Sequence, residues 1–554
     1  MKQFLILVFA IFFIGNSFGQ DYKWFRQIRG MGDDRATNMK MDNNGDIIVI
    51  GNFSDTVDFD PSDEVAEAIS FGGYDPFIAK YDSLGNFLWV RSFGSESYDY
   101  AYTLHVDPEG SVFVAGTYSG TIDIDPGDGE VLISATGISS YLLKLNSDGD
   151  YVWSRNLTGY DVRMNAIKTG PQGVVCAGTF HETAEFNNEG ESVNLTSAGA
   201  TDVYIMTLTD DGVFSEISQL GTPDQNLVRA FDMDADGNIY LASEFTDSID
   251  VDPGASEEVL YVDSESNHGS FIAKYSADVE LLWAKNMEFP TWSDVQYLYV
   301  DSDNNVVFSG YFKDSILFNQ FADNDWYFSE GDDDIYLCKM DEAGNMSWVK
   351  SFGNEAEDDR ALMYVGPANY IYLYDQFEGT IDSDMGPATA NVTSVGARDN
   401  YIMRLDPDGN LNWFIQDSTD YGTYSSMPSL IEGPNNDVYV LYNFYNEMGL
   451  MQDGELFDFD SEGDYDILLM KLKADNTASI LEEELISYFL YPNPAEDQLF
   501  INGLNGVNTH YQIFSLNGQV VQNGFTQGSI DVNTLDNGMY ILKLGENVLR
   551  FVKR

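Results

Sequence analysis

The sequence predicts an all-β chain: a seven-bladed β-propeller with four-stranded blades, its N-terminal strand closing the last blade, and a small C-terminal β-sandwich. The first observation behind this is a repeat. Seven short apolar segments, Ile47–Phe53, Val112–Tyr118, Val174–Phe180, Ile239–Phe245, Val306–Phe312, Ile371–Phe377 and Val438–Phe444, each close on an aromatic residue. Those aromatics are spaced 65, 62, 65, 67, 65 and 67 residues apart. A period this regular marks a repeat architecture. The second observation is strand texture. The chain holds 36 Phe, 34 Tyr and 8 Trp, several segments alternate apolar and polar residues, and no helix-length amphipathic pattern competes. The third is that the seventh unit supplies only three strands, and a matching fourth lies at the other end of the chain. Four-stranded sheets repeated radially make a propeller.

Residues 1–19 read as a signal peptide. Lys2 is the positive end, Phe4–Ile14 is an unbroken apolar run of 11 residues, and Ser17 and Gly19 fit the small-residue cleavage rule. That run is too short to span a bilayer stably, and no later segment is apolar enough for a membrane helix.

The propeller is assigned to residues 20–478. Each unit opens with a short apolar strand, such as Thr37–Met41 or Thr103–Val106. A tight turn follows, for example Asp42-Asn43-Asn44-Gly45, where Asp caps and Gly takes a positive φ. The second strand ends at the constant aromatic. The third strand ends in a cation, as in Phe77–Lys80, Tyr141–Lys144, Phe271–Lys274, Tyr336–Lys339 and Tyr401–Arg404; its long side chain is read as snorkelling to water. A second turn leads to the fourth strand, which carries Trp89, Trp153, Trp283, Trp348 or Trp413. These Trp are read as wedges between neighbouring blades. Unit three departs, with Glu216 in the Trp position and Thr207 in place of the cation. Unit seven stops after Leu468–Leu472. Tyr22-Lys23-Trp24-Phe25-Arg26 matches Phe87-Leu88-Trp89-Val90-Arg91, so the N-terminal strand should complete the last blade and remove an open edge. Cys176 and Cys338 sit in apolar strands and read as buried free thiols.

These units resemble the bacterial seven-bladed β-propeller repeat of secreted proteins. After an acidic linker at 479–490 the texture changes. Short strands separated by Gly/Asn turns, such as Leu499-Phe500-Ile501 and Tyr511-Gln512-Ile513-Phe514, predict a small sandwich over 491–554. This segment is similar to the type A C-terminal sorting domain of the type IX secretion system. The likeness is carried by Pro492, Asn493 and Pro494 at its start, Gly518 in a central turn, Gly538 and Tyr540 in a Gly-Met-Tyr strand, and Lys553 at the basic end. The resemblance implies passage to the periplasm, then recognition by the type IX secretion machinery at the outer membrane. It also implies a mature protein that is secreted or held on the outer cell surface.

Charge narrows the partners. Lys and Arg number 27 against 91 Asp and Glu, a formal net charge of −64. Such a surface repels nucleic acid and anionic lipid. Four units carry Asp-x-Asp five residues after the constant aromatic: Asp58/Asp60, Asp123/Asp125, Asp250/Asp252 and Asp382/Asp384. Loops between strands two and three share a face with loops between blades, which are also acidic (Asp33, Asp34, Glu96, Asp99), so one rim should be strongly negative. Calcium takes several oxygens at ~2.3–2.6 Å, which makes Asp58, Asp60, Asp123, Asp125, Asp250 and Asp252 candidate ligands. As turn caps before Pro61, Pro126 and Pro253 they need no metal. Asp232–Gly237 resembles the first half of a calcium loop, but its twelfth position is Ser243, and it reads as a hairpin turn. His105, His181, His268 and His510 are scattered, with no nucleophile–His–acid order. The expectation is a non-catalytic binding or adhesion module for glycan or protein on the propeller face. The alternative is a hydrolase or lyase acting on polysaccharide through carboxylates of the acidic rim or channel.

Overall fold

The computed structural model describes residues 22–554 apart from 136, 189–190, 263–267, 288–292, 318–325, 355–360, 387–388, 395–397, 418–424, 453–454, 474–488, 492–493, 496, 503–508, 516–518 and 545–546. The chain is all-β and divides into two compact units, residues 1–476 and 477–554. Apart from a short 3-10 turn at Pro434–Asn436, the described elements are strands.

In the first unit the strands pair as antiparallel four-stranded meanders, and the described residues contain seven. The first runs Arg35–Met41, Ile47–Phe53, Asp75–Tyr81, Phe87–Ser92. The next five repeat that order. The last consists of Ser425–Glu432, Val438–Gln452 and Glu455–Leu472, completed by Tyr22–Gly30. The N-terminal strand thus stands where its likeness to Phe87–Arg91 puts it, with Phe25 opposite Met470.

Second strands are buried on both faces, which explains their nearly continuous apolar runs. Successive side chains point to opposite sides. Ile47 and Val49 therefore enter one core with the last sheet, while Ile48 and Ile50 enter another with the second sheet. The same division recurs throughout. Seven apolar cores result, one between each pair of consecutive sheets, the seventh joining last to first. First strands lie against one another in the same cyclic order.

Two residues beyond the constant aromatic, every unit adopts a left-handed backbone: Asp55, Gly120, Glu182, Asp247, Asp314, Gly379 and Asn446, with φ between 57° and 79°. Beyond this kink the second and third strands continue as a two-stranded ribbon. In the four Asp-x-Asp units it is a separate short pair, such as Thr56–Asp58 with Glu67–Ile69. In the other three it is the continuation of long strands, such as Gly173–Asn188 with Glu191–Leu208.

Neighbouring sheets are latched by the fourth-strand Trp. Gly149 has φ 80°, and a Cβ there would lie 3.1 Å from the Trp89 ring of the preceding sheet. Gly85, Gly212, Gly344 and Gly409 meet Trp24, Trp153, Trp283 and Trp348 in the same way. Arg26, Arg91 and Arg155 reinforce three latches by donating from Nε to the carbonyls of Gly85, Gly149 and Gly212.

Lys80, Lys274, Lys339, Lys471 and Arg404 are buried rather than snorkelling, while Lys144 is half-buried over the Phe113 ring. Lys80 is buried and pairs with Asp42 at 2.8 Å and Asp46 at 3.2 Å. Lys339 meets Asp301 at 2.8 Å, and Lys471 meets Asp437 at 3.0 Å. The ammonium is drawn inward because the hairpin Asp beside it would otherwise be a buried unpaired charge. Unit three lacks both partners: its turn is Gly170-Pro171-Gln172-Gly173, and Thr207 replaces the Lys. Cys176 and Cys338 are buried free thiols.

In the second unit, Phe489–Tyr491, Gln498–Asn502 and Ser529–Asp531 form one sheet. Val520–Thr526, Thr509–Ser515, Gly538–Leu544 and Asn547–Lys553 form another. Leu499, Ile513, Ile530, Leu542 and Phe551 are buried in one shared core.

Candidate functional site

The Asp-x-Asp carboxylates are occupied by the backbone. Asp58 Oδ1 accepts the N–H groups of Asp60 (3.1 Å) and Ala66 (2.8 Å), and Asp60 Oδ1 accepts that of Ser62 (2.9 Å). Asp123 and Asp125 repeat this with Asp125, Val131 and Gly127. Asp250 and Asp252 do so with Asp252, Glu258 and Gly254. Each pair closes its own ribbon. Among the described residues no group of three or more His, Cys, Asp or Glu side chains is placed to hold a metal ion. Asp234, in the calcium-like stretch, caps its hairpin and lies 3.4 Å from the Lys274 ammonium.

A different set of acids is buried at the same end of the sheets. Asp75 and Asp399 begin third strands, Asp202, Asp334 and Asp466 hold the same position inside the longer third strands, and all five are at most 2% exposed. Asp75 accepts the Phe71 N–H, Asp202 that of Ala198, and Asp466 that of Glu462. Fourth-strand glutamines Gln27 and Gln219 add side-chain hydrogen bonds to Asp466 and Asp202. Burial pushes Asp75 up to about 6. Burial and the neighbouring Asp466 carboxylate push Asp34 up to about 8. Asp34 and Asp466 therefore meet where the last sheet joins the first, and Asp34 also donates its backbone N–H to Tyr465 O.

The same end holds an open cavity of about 1060 Å³, where the first strands begin. Its wall carries Tyr74, Tyr100, Tyr102, Tyr297 and Tyr374, with Arg35, Arg398, Asp375, Asn52 and Asn443 among them. The tyrosines form a row. Tyr100 and Tyr102 stack at 5.6 Å and 15°, Tyr74 lies 6.0 Å from Tyr100, and Tyr98 lies 5.8 Å from Tyr74. Tyr74 donates to Asp33 at 2.5 Å, and Asp33 holds Arg35 at 2.6 Å. Arg35 lies 3.9 Å over the Tyr465 ring, which lies 5.5 Å from Tyr445. Burial and the Asp33 carboxylate push the Tyr74 hydroxyl up. Tyr98 and Tyr102 remain exposed. Rings, guanidinium groups and amides at one mouth can grip a ligand with both apolar faces and hydroxyl groups.

Sequence reasoning singled out the acids at this end of the sheets and did not single out the tyrosines. The signal that could have drawn attention to them is Tyr98-Asp99-Tyr100-Ala101-Tyr102, alternate tyrosines running into the strand Tyr100–Val106.

In the second unit, Tyr540 stacks on Phe551 at 5.6 Å and donates to Asp536 O at 2.8 Å. Gly538 pairs with Lys553, which also bridges Ala495 beside Pro494. Pro492, Asn493 and Gly518 lie outside the described residues.

Residues 489–554 match the family model described as the secretion system C-terminal sorting domain. A 211-residue stretch, 33% of this chain, is 24% identical to an uncharacterized WD repeat-containing protein of Acanthamoeba polyphaga mimivirus, and it spans 15% of that protein's length. Among solved structures, a protein of unknown function from Dyadobacter fermentans is 12% identical, covering 82% of this chain and 99% of that one, with TM-score 0.35. The extracellular domain of a B. thetaiotaomicron protein described as a hybrid two component system is 13% identical, covering 94% and 72%, with TM-score 0.23. A variant of Synechocystis apocarotenoid oxygenase is 11% identical, covering 82% and 94%, with TM-score 0.34.

The sorting domain makes this an exported protein, secreted to the cell surface by the type IX route. Its C-terminal unit is accordingly a partner of the type IX secretion machinery. Among the described residues no helix is long and apolar enough to cross a membrane.

Proposed function

We propose that residues 20–478 form a seven-bladed β-propeller and residues 491–554 a small sandwich that serves as its address, with a signal peptide at 1–19 opening the route. The mature protein is then a non-catalytic surface binding module, and its ligand is a glycan held at the tyrosine-lined mouth. The cyclic order of seven cores supports the blade count. Two sheets over one core support the sandwich.

The row of tyrosines carries the ligand reading. Flat ring faces pack against the apolar faces of sugar rings, while Arg35, Asn52 and Asn443 offer hydrogen bonds to sugar hydroxyls. A glycan and cell-surface binding screen of the secreted chain tests it, run beside a Tyr100→Ala/Tyr102→Ala variant. Binding weakened roughly tenfold or more, with the melting temperature kept, supports the mouth as the site. Equal retention by both proteins rules it out. Running each arm with and without calcium shows whether the ribbons bearing Asp58, Asp60, Asp123, Asp125, Asp250 and Asp252 contribute.

A hydrolase or lyase reading finds its best acid pair in Glu244 and Asp294, which share Arg229 at 2.7 and 3.5 Å. Burial, with the hydrogen-bonded Asp294 carboxylate, pushes Glu244 up to about 8. Two carboxyl groups in contact leave no room for a sugar, whereas paired glycosidase acids stand ~5 Å or more apart.

A further inference from the structure

Further along the first strands, past the tyrosine-lined mouth, each sheet presents one residue at a single register. Lys40 pairs with Ile48, His105 with Phe113, Lys168 with Val175, Asp232 with Tyr240, Tyr299 with Val307, Tyr364 with Tyr372 and Ile431 with Tyr439. In every case the partner lies five residues before the aromatic that closes the second strand, so the seven positions form one ring inside the array. Contacts across sheets bear this out. Lys168 Nζ lies 2.5 Å from Asp232 Oδ1, Asp232 Oδ2 accepts the Val300 N–H at 2.8 Å, and the Tyr299 and Tyr364 rings are 5.9 Å apart.

The ring is not electrically balanced. Lys168 and Asp232 neutralise each other. His105 Nε2 is 2.8 Å from Thr169 Oγ1. Tyr299 and Tyr364 carry no charge at neutral pH, because burial pushes both hydroxyls up. Lys40 is left, half-buried, with no ion-pair partner among the described residues. In a chain with 91 acids and 27 bases, three consecutive inner strands place Lys, His and Lys side by side. An ammonium withdrawn from water without a counter-ion is costly, and an anion bound beside it removes that cost.

We propose that Lys40, with Lys168 and His105, forms an oxyanion-binding station on the ring of first strands that takes the carboxylate or sulfate group of an acidic saccharide. The saccharide class rests on the glycan reading above; the station itself does not. Among the described residues that line the mouth are Arg398, Arg35 (paired with Asp33 at 2.6 Å) and one carboxylate, Asp375. Burial and the nearby Lys168 charge push Lys40 down to about 8, and burial pushes His105 down to about 3.

The test uses the full secreted chain, the variants Lys40→Met and Lys40→Arg, and sodium glucuronate, sodium sulfate, glucose and sodium chloride at matched ionic strength. Glucuronate or sulfate should raise the parent's melting temperature saturably, where glucose and chloride do not. Lys40→Met should melt no lower than the parent without anion, since it loses an unpaired charge. Its half-saturation should weaken roughly tenfold or more, the loss of a charge-assisted contact, while Lys40→Arg keeps the response. Glucuronate acting alone assigns a uronic carboxylate, and sulfate acting alone assigns a sulfate ester. Equal responses from parent and Lys40→Met, or none above chloride, overturn the station. Glycan binding that survives Lys40→Met and added sulfate overturns it too, and leaves the glycan reading standing. Saturable anion binding without any retained glycan keeps the station and removes that reading.

Discussion

Single side chains hold neighbouring sheets together. Trp153 is 8% exposed, lies over Gly212 of the next sheet, and donates from its indole to Asp210 O at 3.0 Å. Trp153→Ala should cost ~3–5 kcal/mol in chemical unfolding, as truncation of a buried Trp does. Asp34 gives a pH signature. The folded chain keeps its proton up to about 8, whereas the unfolded chain releases it above 3.8. Stability from this group is therefore present at low pH and lost as pH rises through that window. Asp34→Asn should melt higher than the parent above pH 8 and little differently near pH 4, which a melting series across pH reads directly. His105 acts in the opposite sense. Its folded form stays neutral down to about 3, while the unfolded imidazole protonates near 6.5, so its contribution falls as the medium is acidified between those values.

Much of each element was legible in the sequence, because strands buried on both faces write a repeating apolar run closed by an aromatic. Trp24 and Arg26 disclosed the strand that completes the last sheet, because the same pair recurs as Trp89 and Arg91. Other features were hidden. Lys80 looked like a surface cation because its partner Asp42 is far along the chain, and only the third dimension brings the two to 2.8 Å. The backbone bonds of Asp58 and Asp60 were hidden too, because composition does not reveal which N–H groups a carboxylate will face. The tyrosine row is assembled from Tyr74 in one sheet and Tyr100 in the next, so spacing alone could not collect it. Removal of Tyr22–Gln27 should expose the edge of Glu455–Leu472 and strip one side of two cores. A steep fall in melting temperature, with concentration-dependent aggregation in light scattering, is the expected result.

At the scale of the molecule, the sorting domain and the tyrosine-lined mouth belong to different units. Among the described residues, the core of the second unit is built from its own strands. A chain ending at residue 478 should therefore fold, keep the parent's tyrosine-mouth binding, and accumulate in the periplasm. Fractionation and a binding assay on the recovered protein check both halves. Appending residues 479–554 to an unrelated exported reporter should carry that reporter to the cell surface.

The closing strand also sets an order of events. Gln27 and Asp466, whose side chains meet at 2.8 Å, are 439 positions apart. A chain threaded out from its N-terminus exposes Tyr22–Gly30 long before its partner strand exists. That strand has to wait, unpaired, until almost the whole array has emerged. Closing so long a loop is costly in entropy, and topologies dominated by such pairings fold slowly. Until Glu455–Leu472 has emerged, a chain threaded in that order carries an open strand edge that a neighbouring copy could pair with.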